Sequence, residues 1–236
     1  HAWTTSWRVS TRFIGALIMT HSDDDGLVLP PRLAPAHVVI MPIYRDDESR
    51  AQVIAACDAL RQQIAGLRYA DEPVRVIVDD RDLRGGDKKW YHVKRGVPLR
   101  IEIGPKDIAN QSVFVGRRDQ EKSTGMAQSD LIANLPTMLA EIQSGLFQRA
   151  KAYRDARSVA ITNEADFRDY FKSTDENSMV GGFAYCHFAS EAEVQPLLDE
   201  LKVTIRCIPL EGGQSNGTCF LTGKPATQKA IFARAY

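Results

Sequence analysis

The stretch His37-Val38-Val39-Ile40-Met41-Pro42-Ile43 is an almost unbroken apolar run. A strand with one wet face alternates apolar and polar residues. A continuous run of this length marks a strand covered on both faces. The segments downstream supply the covering elements. Asp46–Gly66 spaces Val53, Ile54, Cys57, Leu60 and Ile64 three and four apart, with Leu67 just beyond, acidic residues at its start and Gly66 near its end. That pattern predicts an amphipathic helix. Val74–Val78 is β-branched, Leu99–Ile103 alternates, and Ser112–Gly116 reads as a further strand. Asp130–Ala156 predicts a long helix with Leu131, Leu135, Met138, Leu139, Ile142, Leu146 and Phe147 on its apolar side. Strands alternating with helices predict an α/β layer fold beginning at His37.

On the C-terminal side of Arg157 the pattern restarts. Val159–Thr162, a helix around Ala165–Ser173, Gly181-Gly182, a strand Phe183–Phe188 and a helix Glu191–Leu201 come in order. Ile205–Pro209, a Gly/Ser/Asn loop over Gly212–Gly217 and a closing segment Ile231–Tyr236 complete a smaller α/β module. On the N-terminal side, Ile14, Leu17 and Ile18 within Phe13–Met19 fit one face of a short helix. Asp23-Asp24-Asp25-Gly26 lacks a calcium-loop pattern and reads as a turn rather than a cation site. Pro30-Pro31 and Pro35 mark a linker. The chain opens on His1, directly on a dense run of Trp, Thr, Ser and Arg, as expected if the sequence starts partway through a larger protein.

With 236 residues, 44% hydrophobic and 25% charged, the chain has room for one large domain or two modest ones and is too apolar to be disordered. No stretch approaches the ~20 apolar residues of a membrane span. The first residues lack the apolar core of a secretory signal. Four cysteines are too few for a disulfide scaffold of this size, and a reducing cytoplasm is the simplest home.

The 30 Lys+Arg balance 30 Asp+Glu over the whole chain, yet Val74–Lys122 holds 12 cations against 8 acids. Arg81, Arg84, Lys88, Lys89, Lys94, Arg95, Arg117 and Arg118 interleave there with Trp90, Tyr91 and His92. Cations that hold phosphates beside planar groups that stack on unpaired bases suit single-stranded RNA. A solvated surface has the same composition, and composition alone favours it. Cys186, Cys207 and Cys219 with His187 form no CxxC pair, so buried free thiols fit better than zinc ligands. Arg12, behind Ser10 and Thr11 at the start of an apolar helix, is placed either to clamp a phosphate or to sit on the surface.

Three separated motifs add a resemblance. Thr5-Ser6-Trp7-Arg8-Val9-Ser10-Thr11-Arg12-Phe13-Ile14-Gly15, with Ile18-Met19-Thr20-His21 and the run Gly26–Pro35, resembles the motif 3 region of the prolyl-tRNA synthetase family. Its bacterial members of the archaeal and eukaryotic-like type are the nearest in pattern. Gly96-Val97-Pro98-Leu99-Arg100-Ile101-Glu102-Ile103-Gly104-Pro105-Lys106-Asp107 continues the likeness, and Phe232-Ala233-Arg234-Ala235-Tyr236 matches the family's terminal aromatic signature.

The resemblance implies the C-terminal half of a class II aminoacyl-tRNA synthetase. Residues 1–36 would end the catalytic domain. Residues 37–156 would form an anticodon-binding domain, a mixed sheet flanked by helices, and 157–236 a small α/β C-terminal domain. The whole enzyme would activate L-proline with ATP and Mg2+ as the substrate complex and transfer it to the proline tRNA. It would be cytoplasmic and homodimeric, with no membrane partner. Arg12 would grip the ATP phosphates as the catalytic residue, beside Ser10, while Ser6 and Trp7 would shape the proline site. Arg100, Lys106 and Lys122 would read the anticodon guanines.

Three departures accompany the likeness. Arg8 replaces a small residue, Val93 replaces an anticodon-reading glutamate, and Glu191 and Thr222 stand where two of four zinc cysteines would be, leaving Cys186 and Cys219. The resemblance therefore implies that zinc is lost. The alternative is a tRNA-binding paralogue or fragment that does not charge tRNA.

Overall fold

The computed structural model describes residues 2–172 and 182–234, and the chain divides into two units, His1–Ala150 and Lys151–Tyr236. In the first unit α1 (Arg12–His21) precedes β1 (Val38–Pro42), α2 (Asp47–Ala65), the short pair β2 (Arg68–Tyr69) and β3 (Glu72–Pro73), and β4 (Val76–Val78). Then come α3 (Gly85–Lys94), β5 (Leu99–Ile103), α4 (Pro105–Ala109), β6 (Ser112–Arg117), β7 (Thr124–Ala127) and α5 (Gln128–Ala156); the unit boundary falls inside α5.

The sheet runs β4-β1-β5-β6-β7, with β1 parallel to β4 and β5, and β6 antiparallel to β5 and β7. Every residue of β1 is buried. Val38 and Ile40 enter a core with Val53, Cys57, Leu60 and Ile64 of α2 and with Leu131, Leu135, Leu139, Ile142 and Leu146 of α5. Val39 and Met41 pack with Val97 on the opposite face, where α3 contacts β1. The apolar run is explained by cover on both sides.

Helix α2 fits its forecast span: the Asp46 carboxylate caps it by accepting from the Ser49 N–H at 2.8 Å, and Gly66 ends it. Helix α5 starts at Gln128, carries Pro136 in its interior and leaves Phe147 exposed, contrary to the forecast stripe. The strand expected at Val74 begins at Val76, because Val74 N–H instead donates to the Leu67 carbonyl and closes the β2–β3 pair. Helix α1 spans the expected apolar stretch but buries none of its residues.

The second unit comprises β8 (Ser158–Ala160), α6 (Glu164–Phe171), β9 (Phe183–Phe188), α7 (Glu191–Leu201), β10 (Val203–Cys207), β11 (Gln214–Thr218) and β12 (Pro225–Arg234). Its sheet runs β10-β12-β9-β8, and β11 also pairs with β12. The segment expected to be a Gly/Ser/Asn loop is thus largely strand β11, which backbone pairing to β12 holds without any apolar side chain. The closing strand begins at Pro225, six residues before Ile231. Ser173, Gly181, Ala235 and Tyr236, parts of other sequence readings, lie outside the described residues. Phe167 of α6 stacks on Phe220 at 4.4 Å and meets Phe232 of β12 edge-on, which centres the core of this unit.

Candidate nucleic-acid interface

Residues paired across a sheet share a face, so β-register locates the surface opposite α2 and α5. It holds Val39 beside Arg100 beside Gly116, and Met41 beside Glu102 beside Phe114. Toward β6 the face opens to solvent: Glu102 is half-buried and Phe114 exposed. Arg100 is only 6% exposed, yet among the described residues its Nη1 has no hydrogen-bond partner. Gly116 makes room for it, since a Cβ there would stand 2.9 Å from Arg100 Nη2 and 2.8 Å from Ser123 Oγ. Burial and the nearby Arg118 charge weaken the hold of Arg100 on its proton, against the opposing pull of Glu102. An unpaired buried donor costs ~1–3 kcal/mol, and more when charged. This position calls for an acceptor from outside the chain.

Beside this face, α3 is fixed by a cluster at the end of β4. The buried Asp79 carboxylate accepts from Arg81 Nε and Nη2, both at 2.7 Å, and from His92 Nε2 at 2.8 Å. The Arg81 hydrogen bonds hold the Asp79 carboxyl far below the usual carboxylate range. Burial lowers the pKa of His92 despite Asp79, so the neutral ring donates to the carboxylate. Two guanidiniums pack over the Tyr91 ring, Arg81 at 4.0 Å and Arg95 at 4.5 Å from its centre. With Lys88, His92 and Val93 turned inward, α3 presents Lys89, Trp90 (51% exposed) and Lys94 outward, and Arg95 follows.

The structure divides the eight cations singled out in the sequence. Lys88 is buried, Arg81 is held by Asp79, Arg117 by Asp119 and Glu141, and Arg118 by Asp23. These four serve the fold. Arg84, Lys89, Lys94 and Arg95 are exposed. The residues that make the open face, Gly116, Glu102 and Phe114, escaped sequence reading because only register brings them beside Arg100.

Lys106 is exposed in α4, and Lys122 is exposed in the β6–β7 loop. That loop returns next to Arg100 through Ser123, whereas α4 leaves the far end of β5, roughly 10 Å of strand away. The three residues are therefore strung along the sheet rather than gathered at one point. Val93 is buried, and its carbonyl accepts from Arg118 Nε at 3.0 Å.

Ser6, Trp7, Arg8 and Ser10 precede α1 in irregular backbone, and Arg12 is its first residue. The Ser10 hydroxyl accepts weakly from the Arg12 N–H at 3.4 Å. Trp3 and Trp7 are 102% and 95% exposed, so the described residues build no enclosed site around them.

In the second unit Cys186 and Cys219 are buried. Burial pushes the Cys186 thiol up to about 12. Burial also acts to raise Cys219, but hydrogen bonds from the Thr222 hydroxyl and the N–H groups of Thr222, Leu221 and Ala189 outweigh it, and its pKa falls. Thr222 thus serves the sulfur as a hydrogen-bond donor, and Glu191 is exposed at the start of α7. Two thiols, a hydroxyl and an exposed carboxylate do not fit a four-ligand N/S zinc site. No group of three or more His, Cys, Asp and Glu side chains suited to a metal occurs among the described residues.

Comparison with known proteins agrees with these features. Residues 37–138 match the family model described as "Anticodon binding domain", and residues 171–236 match "Prolyl-tRNA synthetase, C-terminal". The chain is 60% identical over 235 residues to a proline–tRNA ligase of Rhodopirellula baltica and 51% identical over 237 residues to one of Bdellovibrio bacteriovorus. It is 45% identical over 245 residues to proline–tRNA ligase 2 of Anaeromyxobacter dehalogenans. Each alignment covers 100% of this chain but 46%, 47% and 48% of the relative, so the chain spans about half the length of the curated relatives it matches. Over its whole length the chain is thus similar to the C-terminal half of proline–tRNA ligases.

Proposed function

We propose that this chain supplies the tRNA-binding half of a proline–tRNA ligase, with the anticodon received on the open sheet face. Arg100, buried and with its Nη1 lacking a partner among the described residues, carries this reading. Guanine offers O6 and N7 as adjacent acceptors, which suit a guanidinium that lacks one. Lys122 would contact the same stretch of RNA as Arg100, and Lys106 nucleotides farther along it. The exposed cations and Trp90 of α3 would hold phosphates and stack on a base.

In this reading residues 1–36 complete the catalytic domain, 37–156 bind the anticodon and 157–236 form the C-terminal domain. In the whole enzyme, which would be a cytoplasmic homodimer, the proline carboxylate attacks the α-phosphate of Mg–ATP and expels pyrophosphate. A hydroxyl of the tRNA's terminal adenosine then takes the prolyl group and releases AMP. Arg12 and Ser10 would bind ATP, Arg12 stabilising charge on its phosphates, and Ser6 and Trp7 would line the proline site. The C-terminal domain would hold together by packing without zinc. Elemental analysis is expected to find far less than one zinc per chain, and a value near one overturns that part.

Filter binding of the 236-residue chain to proline tRNA tests the RNA reading. Preference over a tRNA with a different anticodon is expected, with Arg100→Leu weakening binding at least tenfold and Gly116→Ala about threefold or more. Equal affinity for both tRNAs overturns it.

A further inference from the structure

No residue of α1 is buried, so packing along its length does not hold it. Its anchorage is a joint beyond its C-terminal end. Arg118, the first residue after β6, divides its donors between two segments: Nε donates to the Val93 carbonyl in the last turn of α3, and Nη1 donates to Asp23 Oδ2 at 2.7 Å. Nη2 donates to Asp23 Oδ1 and, at 3.3 Å, to the Gly26 carbonyl.

Backbone contacts double this tie. Leu27 N–H donates to the Lys94 carbonyl at 3.0 Å and Leu29 N–H to the Gly96 carbonyl at 3.4 Å. Gly26 and Gly96 take φ of 125° and 71°, and a Cβ on either would come within 2.8 Å of the opposing backbone, so these glycines permit the approach. Arg149 Nη2 of α5 donates to the His21 carbonyl at 3.1 Å and fixes the last residue of the helix.

The turn of α3 that grips this segment is also its cationic end. The carbonyl of Lys94 accepts from Leu27, while its side chain and that of Arg95 face solvent. We propose that the Arg118–Asp23 joint couples RNA bound along α3 to the order of α1, with Arg118 as its positioning residue. RNA phosphates on Lys94 and Arg95 fix the α3 turn, the fixed turn holds residues 22–29, and these restrain α1, the helix that begins with Arg12. The RNA part rests on the tRNA-binding reading; the joint itself does not. Coupling requires that RNA favour the state in which the joint is closed.

Hydrogen exchange of the 236-residue chain, read at amides 16–21, tests this. Arg118→Ala should speed exchange there at least tenfold without RNA, and Asp23→Asn at least threefold from a half-exposed position that spares the fold. Leu139→Ala weakens the same unit through its core without touching the joint and should leave these amides unchanged. Proline tRNA should slow them at least threefold in the unaltered chain and not in Arg118→Ala, although that variant still binds the RNA.

Unchanged exchange in both joint variants overturns the joint, as does equal acceleration by Leu139→Ala. Binding of tRNA with no slowing in the unaltered chain overturns the coupling, as does equal slowing in Arg118→Ala. Failure of the chain to bind any tRNA overturns the functional reading and the coupling together, while the two joint variants still decide the joint.

Discussion

Arg118 and Arg100 lie close enough to repel each other and are equally buried, at 7% and 6% exposed. Arg118 meets a carboxylate and two backbone carbonyls supplied by residues distant in sequence. Arg100 sits between Val39 and Gly116 in the sheet and has a buried nitrogen with no partner among the described residues. Burying a guanidinium is costly in both places. Around Arg118 the folded chain offsets that cost internally. Around Arg100 the described residues do not, which sets an arginine that serves the fold apart from the one assigned to RNA in the proposed function.

Loss of Arg118 should show the largest effect. Arg118→Ala strips Val93 and Gly26 of a donor and leaves Asp23 unpaired, and should destabilise the first unit by about 2–3 kcal/mol, the half-exposed position of Asp23 keeping it below the range for fully buried pairs. Urea unfolding followed by a probe in that unit reads this. Arg100→Leu should do the opposite and stabilise the same unit by about 1 kcal/mol, because an apolar side chain replaces an unpaired charge. If both variants destabilise equally, the contrast fails.

Acid offers a smaller, graded version of the comparison. The Arg118 hydrogen bond holds the Asp23 carboxyl below its ordinary value of 3.8. A carboxyl lowered by folding contributes stability that is present above its unfolded pKa and lost as pH falls through the folded one. Below about pH 4 the unfolded chain takes up this proton first and stability begins to fall; at lower pH still, Asp23 protonates in the folded chain and Arg118 loses its countercharge, becoming more like Arg100. Stability measured from pH 5 to 2.5 should therefore fall less in Asp23→Asn than in the unaltered chain. Parallel curves would remove Asp23 from the account.

What the sequence disclosed stems from locality. The cover of β1, the caps of α2 and the stripe of α5 are patterns within one segment, and periodicity reveals them. Helix α3 is not legible in the sequence: its inward side chains include Lys88 and His92 and its start is Gly85-Gly86, so no apolar stripe announces it. Strand β11 reads Gln-Ser-Asn-Gly-Thr and owes its form to a partner strand. The cations of the site were visible as composition. Arg81 meets Asp79 only two residues away, but Glu141 and Asp23 neutralise Arg117 and Arg118 through contacts 24 and 95 residues apart, which no local pattern encodes. Arg100 was marked by its motif, but its lack of a partner emerges only when Gly116 is set opposite it.

The second unit carries a consequence for the order in which it can be built. Strand β12 lies between β9 and β10 and also receives β11, yet it comes after all three in the chain. While a ribosome is still adding residues 225–234, the earlier strands of this unit have their backbone donors and acceptors exposed along the edge that β12 will occupy. The first unit can complete β4-β1-β5-β6-β7 well before then. The two units thus differ in how long each is vulnerable during synthesis, and the later one depends on its final strand for closure.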